Sequence, residues 1–179
     1  MHLRSTASRQ LVISLLAATV LAGCAGRSVP AVDVAAAAVG ATSPMAGDVL
    51  IFGGWPQTAA FVQDASAAGD ASVVNIFASW CAPCEAELPV LLAASENEPG
   101  VQFLGVASED RVKEAAPFIE RMAVTWPTIL DLTATTHIAF EGIAMPTTAF
   151  FDVTGSLVSV VTGLLTPEML ADELSRIRP

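Results

Sequence analysis

Residues 73–87 read VVNIFASWCAPCEAE, and the reading of this stretch decides the fold. It opens on a short apolar, β-branched run, Val73 to Ala78, of the length and composition of a buried strand. After Trp80, Cys81 and Cys84 stand two residues apart around Ala82 and Pro83, and helix formers follow: Glu85, Ala86, Glu87 and Leu88. The CxxC therefore sits on a strand-to-helix turn. A thiolate there meets unpaired backbone N–H groups and the positive end of the helix dipole, which lowers its pKa. Two cysteines so spaced can also close a small disulfide ring and exchange two electrons. Half of a zinc site is the competing reading. Zinc wants four ligands, and beyond the pair the chain offers Cys24, His2 and His137. A redox dithiol is the better account, with no metal and no cofactor.

Outward from this centre, strands and helices alternate. A short strand is expected at 49–52, ended by Gly53-Gly54, and an amphipathic helix at 55–68, closed by Gly69. The central strand spans 73–78 and the helix after the cysteines runs to about Glu96, with a kink at Pro89, which has no N–H to donate. Residues 101–107 (VQFLGVA) form a second buried strand. Asp110 is placed to N-cap a helix over 111–122. A short extended piece at 128–130 and a helix at 133–140 come next. Strands at 147–152 and 157–161 flank Val153-Thr154-Gly155-Ser156, a hairpin signal. Thr166-Pro167 then caps a last helix, to about Ile177. The pattern predicts an α/β fold with a mixed central sheet and helices on both faces.

The N-terminus reads as a targeting segment. Arg4 and Arg9 precede a 12-residue apolar stretch at 11–22, too short to span a bilayer comfortably. It ends Leu21-Ala22-Gly23-Cys24, which resembles the bacterial lipobox, so Cys24 is the expected lipidation site. Ordinary signal cleavage near Ala22 or Ala25 would leave an odd free thiol on an exported protein. The expected organisation is a leader at 1–23, a lipidated N-terminus and flexible tether at 24–47, and one domain at 48–179. The AVDVAAAAVG portion of the tether could make a turn or two of helix, with nothing evident for it to pack on. Export places the chain where disulfides persist. A disulfide closing so short a loop stabilises little, so the pair is better placed for chemistry than for stapling.

The formal net charge is −10; without Arg4 and Arg9, six basic residues face 18 acidic ones, or −12. Nucleic acid is an unfavourable partner for such a surface, and so is anionic lipid. Attachment to a membrane would rest on acyl chains, several of which hold stably where one holds marginally.

The central stretch resembles the active site of thioredoxin-fold proteins, and more narrowly that of the TlpA/ResA-like thiol–disulfide oxidoreductases. Asn75 stands six residues before Cys81, where thioredoxin has a buried aspartate and the TlpA-like proteins commonly have asparagine. Glu87 and Pro89 match the last two positions of the TlpA-like WCxPCxxExP pattern. The resemblance covers residues from about Asp48 to the C-terminus and implies a thioredoxin-like fold, with the segment at 133–140 as a TlpA-like helical insertion. It also implies roles. Cys81 is the nucleophile and Cys84 the resolving thiol. Met145-Pro146 resembles the cis-proline loop that binds an extended substrate segment, with Trp80, Ala82 and Pro83 beside it. Glu87 shuttles the proton of Cys84, a task that suits a carboxyl whose pKa is raised by burial; a solvated helix glutamate, as expected of Glu85, is the alternative. Trp80 shields the disulfide, or else is plain core. His137, alone on its helix, reads as a surface or packing residue.

The expected protein is a membrane-tethered oxidoreductase on the outer face of the cytoplasmic membrane. Its partners are exported proteins carrying thiols or disulfides, and a membrane redox partner. The Ala82-Pro83 dipeptide carries no cation or histidine to stabilise the thiolate, which points towards a reductant, with cytochrome c thiols as a candidate substrate. Two alternatives share the fold. A Sco-like copper module uses CxxxC with a histidine, whereas the spacing here is CxxC. A thioredoxin-fold peroxidase uses a threonine before its cysteine and an arginine, both missing from the pattern here.

Overall fold

The computed structural model of the protein describes residues 29–44 and 50–178. Cys24, with the expected leader and lipidation site, lies outside the described residues, as do Asp48 and Val49 at the expected domain start. The elements in chain order are α1 (Val34–Ala38), β1 (Ile51–Phe52), α2 (Trp55–Ala68), β2 (Ala71–Phe77), α3 (Ala82–Asn97), β3 (Val101–Ser108), α4 (Val112–Arg121), β4 (Thr128–Asp131), α5 (Thr135–Ala139), β5 (Thr147–Phe151), β6 (Leu157–Thr162) and α6 (Pro167–Ile177). They build one six-stranded sheet in the order β1-β4-β3-β2-β5-β6. The first four strands of that order run parallel, and β5 and β6 run antiparallel to their neighbours.

Connection handedness distributes the helices. From β2 the chain steps to β3 and then β4, always in one direction, so right-handed crossovers put α3 and α4 on one face. The step from β1 to β2 runs the opposite way, which puts α2 on the other face. The core divides accordingly. Val73 and Phe77 of β2 pack with Leu88 and Leu91 of α3, Phe118 of α4 and Leu174 of α6. Val74 and Ile76 point the other way, to Phe61 and Val62 of α2 and to Phe140. Alternation along β2 thus sends Asn75 to the α3 face, together with Val73 and Phe77. All seven residues of β2 are buried, as a strand flanked by β3 and β5 and covered on both faces must be.

Local signals set most boundaries. Gly69 ends α2 in the left-handed region at φ 84°, where its N–H reaches the carbonyls of Ala65 and Ser66. Thr166 caps α6 by accepting the N–H of Met169. Three expectations need correction. First, Asp110 does not cap α4: the N-cap is Arg111, without a side-chain cap bond, because the Asp110 carboxylate is engaged by Ser79. Second, α5 is shorter than 133–140. Ala134 stands at φ 55°, and Asp131 accepts the N–H groups of Thr133 and Thr136, so the helix starts at Thr135. Third, the stretch expected to have nothing to pack on forms α1, capped by Asp33, and its buried Ala38 lies against Ala59 and Ala60 of α2. Small side chains on both helices allow that close approach.

Candidate active site

The site lies at the end of the sheet where the parallel strands finish. There β2 gives way to α3 while its other neighbour, β5, begins: Ile76 pairs with Thr147. Between β2 and α3 the chain makes a turn, closed by the Cys81 N–H donating to the Ala78 carbonyl at 3.1 Å. Cys81 is the N-cap of α3, and its Sγ accepts the Cys84 N–H at 3.2 Å. The two cysteines form a disulfide. Cys81 is 6% exposed and Cys84 is 1% exposed, so the first sulfur is the one an incoming group reaches. Helical spacing explains the difference: Cys84, Glu87, Leu88 and Leu91 form the buried face of α3, while Ala82, Pro83, Glu85 and Ala86 are exposed.

Glu87 sits under this turn, one turn along the buried face from Cys84, and is 1% exposed. Its Oε1 accepts from Asn75 Nδ2 at 2.8 Å and from the Thr148 hydroxyl at 3.4 Å. Its Oε2 accepts the Leu165 N–H at 2.7 Å. Burial pushes the carboxyl above its ordinary value, and this outweighs the bonds from Leu165, Asn75 and Thr148, which pull the other way. Glu85, by contrast, is exposed and pairs with Arg121 at 2.6 Å.

The Met145-Pro146 bond is cis, as the sequence suggests. The Pro146 carbonyl accepts the Gly163 N–H at 2.8 Å, which ties the start of β5 to the loop after β6. Just upstream, the Ala144 carbonyl accepts the Thr147 hydroxyl at 2.7 Å and lies 3.2 Å from His137 Nε2. His137 is thus a packing residue that braces this loop from α5. Trp80 is 64% exposed and so is not core; its Nε1–H reaches the Glu109 carbonyl at 3.5 Å. Beside it lies a shallow cleft lined by Trp80, Glu109, Asp110, Arg111 and Glu114.

The structure therefore brings Cys81, Cys84, Glu87 and Asn75 into one unit, with Trp80 and Met145-Pro146 at the same end of the sheet. Sequence reasoning missed Thr148, the Leu165 N–H and the Ser79–Asp110 contact. Thr148 had a signal of sorts, a polar residue in an otherwise apolar strand, but its partner depends on the pairing of β2 with β5.

Comparison with known proteins agrees with this geometry. The Redoxin family matches residues 56–173. The thiol-disulfide oxidoreductase ResA of Geobacillus thermodenitrificans is 29% identical over 113 residues, covering 62% of this chain and 65% of that protein. ResA of Oceanobacillus iheyensis is 31% identical over 120 residues, covering 66% of this chain and 62% of that protein. The matched stretch thus spans just under two thirds of these relatives' own length. Among solved structures, DsbF of MTB, in mixed oxidised and reduced forms, superimposes with a TM-score of 0.57 at 27% identity, covering 61% of this chain and 81% of that one.

Proposed function

The chain belongs to the Redoxin family and has a thioredoxin-like fold, and from that premise we propose that it is a thiol–disulfide oxidoreductase acting on protein thiols and disulfides through Cys81 and Cys84. The observation that carries this reading is the disulfide at the N-terminus of α3, with its first sulfur more accessible than its second. In the reducing direction the Cys81 thiolate attacks one sulfur of a substrate disulfide. That S–S bond breaks, one substrate sulfur leaves as a thiolate, and a mixed disulfide forms. Cys84 loses its proton and attacks Cys81 Sγ, which releases the second substrate sulfur and closes the Cys81–Cys84 disulfide. The substrate gains two electrons and the protein loses two; a membrane redox partner restores the dithiol.

Each remaining site residue has a task in this scheme. Glu87 takes the proton of Cys84, which its raised pKa suits. The cis Met145-Pro146 loop, together with Trp80, Ala82 and Pro83, forms the ledge on which an extended substrate segment lies. The Ala82-Pro83 dipeptide offers the thiolate no cation, which favours a reductant, with cytochrome c thiols before haem attachment as the candidate substrate. The leader at 1–23 directs export and is removed, and the lipidated Cys24 then anchors the domain at 48–179 to the outer face of the cytoplasmic membrane through the segment at 24–47. Among the described residues, no helix is long and apolar enough to cross a membrane.

Insulin-disulfide reduction tests the core of the proposal. Cys81→Ser should abolish it, and Cys84→Ser should leave it low and trap mixed disulfides. Full turnover by Cys84→Ser would rule out the dithiol mechanism. The reduction potential of the pair then decides direction: a value near that of thioredoxin, about −270 mV, fits a reductant, and one near that of DsbA, about −120 mV, would reverse the assignment.

A further inference from the structure

Asp110 is a buried acid to which the redox scheme gives no task. It is 4% exposed, at the point where β3 turns towards α4. Its Oδ2 accepts the Ser79 N–H at 2.5 Å, and its Oδ1 accepts the Ser79 hydroxyl at 2.9 Å and the Arg111 N–H at 2.8 Å. Two of these three bonds go to one residue, two positions before Cys81. Ser79 and Trp80 are the inner residues of the turn that the Cys81 N–H closes onto Ala78. Trp80 is held from the same loop, by the Glu109 carbonyl. That loop is itself fixed: Glu109 sits at φ 52°, a left-handed conformation that costs a side-chain-bearing residue energy, and its N–H donates to the Asp131 carbonyl at 3.0 Å.

We propose that Asp110 is a positioning residue for Cys81, clamping the 78–81 turn so that the sulfur stays against the first N–H groups of α3. The idea rests on the Cys81–Cys84 redox reading and deepens it. Residue chemistry supports a carboxylate in this place. Three donors converge on two oxygens, and a carboxylate accepts at both, whereas an amide has one oxygen and would turn its own N–H groups towards a donor. Bonds from N–H and O–H groups to a carboxylate are also shorter and stronger than neutral ones. A sulfur held by the Cys84 N–H at the helix start is stabilised as thiolate. Loosening the turn forfeits part of that.

Asp110 could instead act through its charge alone, and the two modes differ in sign. A negative charge near a thiolate opposes it, so its removal would lower the thiol pKa. Loss of the clamp raises it. Ser79→Ala separates the two, since it cuts one clamp bond and changes no charge. The experiment measures alkylation rate at Cys81 against pH, with the site identified by peptide mass. It uses the reduced parent, Asp110→Asn, Ser79→Ala, the double variant and Glu114→Gln. Glu114 lines the same cleft but pairs with Lys113 and makes no bond to the turn.

Asp110→Asn should slow alkylation at neutral pH by roughly three- to tenfold, the size of one hydrogen bond lost, and raise the midpoint. Ser79→Ala should move both the same way by less. The double variant should fall short of the sum of the two, as residues sharing a bond do. Glu114→Gln should follow the parent. A lowered midpoint in Asp110→Asn with Ser79→Ala unmoved would overturn the clamp in favour of charge, and curves that all coincide would leave Asp110 no role at Cys81. If Asp110→Asn does not fold, Ser79→Ala decides alone, and an unshifted curve refutes the proposal. Failure of the redox reading shows separately, as insulin reduction that survives Cys81→Ser.

Discussion

Replacing Glu87 with glutamine removes one charge from the buried face of α3 and little else. Residues three apart on a helix have Cβ atoms about 5–6 Å apart. At ~6 Å and an effective dielectric of ~20, a full charge on Glu87 would oppose a Cys84 thiolate by roughly 3 kcal/mol, or about two pKa units. Burial pushes the Glu87 carboxyl above its ordinary value, and because the two groups titrate as a pair, about two units is the upper bound on the shift of the dithiol. Glu87→Gln should therefore lower the apparent pKa of the dithiol and, by removing the proton acceptor, slow exchange.

The fold should survive this change. If Asn75 turns its amide over, its oxygen accepts from the new amide and from Thr148, and the new carbonyl keeps the Leu165 N–H. Glu87→Ala would instead take the acceptor from three buried donors, Asn75, Thr148 and the Leu165 N–H, at about 1–3 kcal/mol for each left unpaired. Stability against pH gives a second readout. Because the folded pKa is raised, the stabilising contribution of Glu87 is full below the ordinary value of 4.5 and is lost as pH rises through the folded value. The parent should lose stability relative to Glu87→Gln across that window. Alkylation rate against pH on reduced protein is the primary assay, with Glu85→Gln, exposed and paired with Arg121, expected to match the parent. Coincident curves for Glu87→Gln and parent would reduce Glu87 to a structural acid.

Cys24→Ala should release the protein from membranes without altering its reduction potential; retention in the membrane fraction would point to an uncleaved anchor. Ala38→Glu should detach α1 from Ala59 and Ala60 and lower stability by about 1–2 kcal/mol, since it buries a charge or gives up the contact. A melting temperature equal to the parent's would mean that α1 contributes nothing to the folded domain, and dithiol reactivity should be unchanged in either case.

The elements read correctly from sequence are those whose signals are local. Gly53-Gly54 and Gly69 bound α2, Thr166-Pro167 announces α6, and β2 is an apolar run of strand length followed by a helix-forming one. Those signals alone place the cysteines at a strand-to-helix turn. Apart from the start of α5, which Asp131 sets locally through Thr133 and Thr136, the misses have a common physical cause, a partner distant in sequence. An aspartate before a helical pattern is a good cap only while nothing else claims its oxygens, and Ser79, 31 residues earlier, does so here. The alanines of α1 carry no charge periodicity to mark a buried face, and their surface is defined by α2. Thr148 meets Asn75 and Glu87 only because β5 inserts beside β2, a sheet order that spacing does not reveal.

The same dependence on distant partners explains why the site holds together as a unit. Glu87 takes one bond from the strand that leads to the cysteines, through Asn75, and another from the loop after β6, through Leu165. That loop also donates the Gly163 N–H to the Pro146 carbonyl, so the ledge proposed for substrate and the acid proposed for proton transfer share one three-residue segment. On the opposite side, the loop after β3 grips Ser79 and Trp80. The turn carrying Cys81 is thus fixed from β3 and α3 together, and the acid behind Cys84 from β2, β5 and the loop after β6. A change at Glu87 reaches the proline ledge through one loop, whereas a change at Asp110 reaches the cysteine turn without involving Glu87. The two sets of variants should therefore act additively on dithiol reactivity, as separate sites with no shared partner do. Alkylation of the Asp110→Asn/Glu87→Gln double variant measures this directly, and strong coupling between the two would mean that the clamp and the acid are one network.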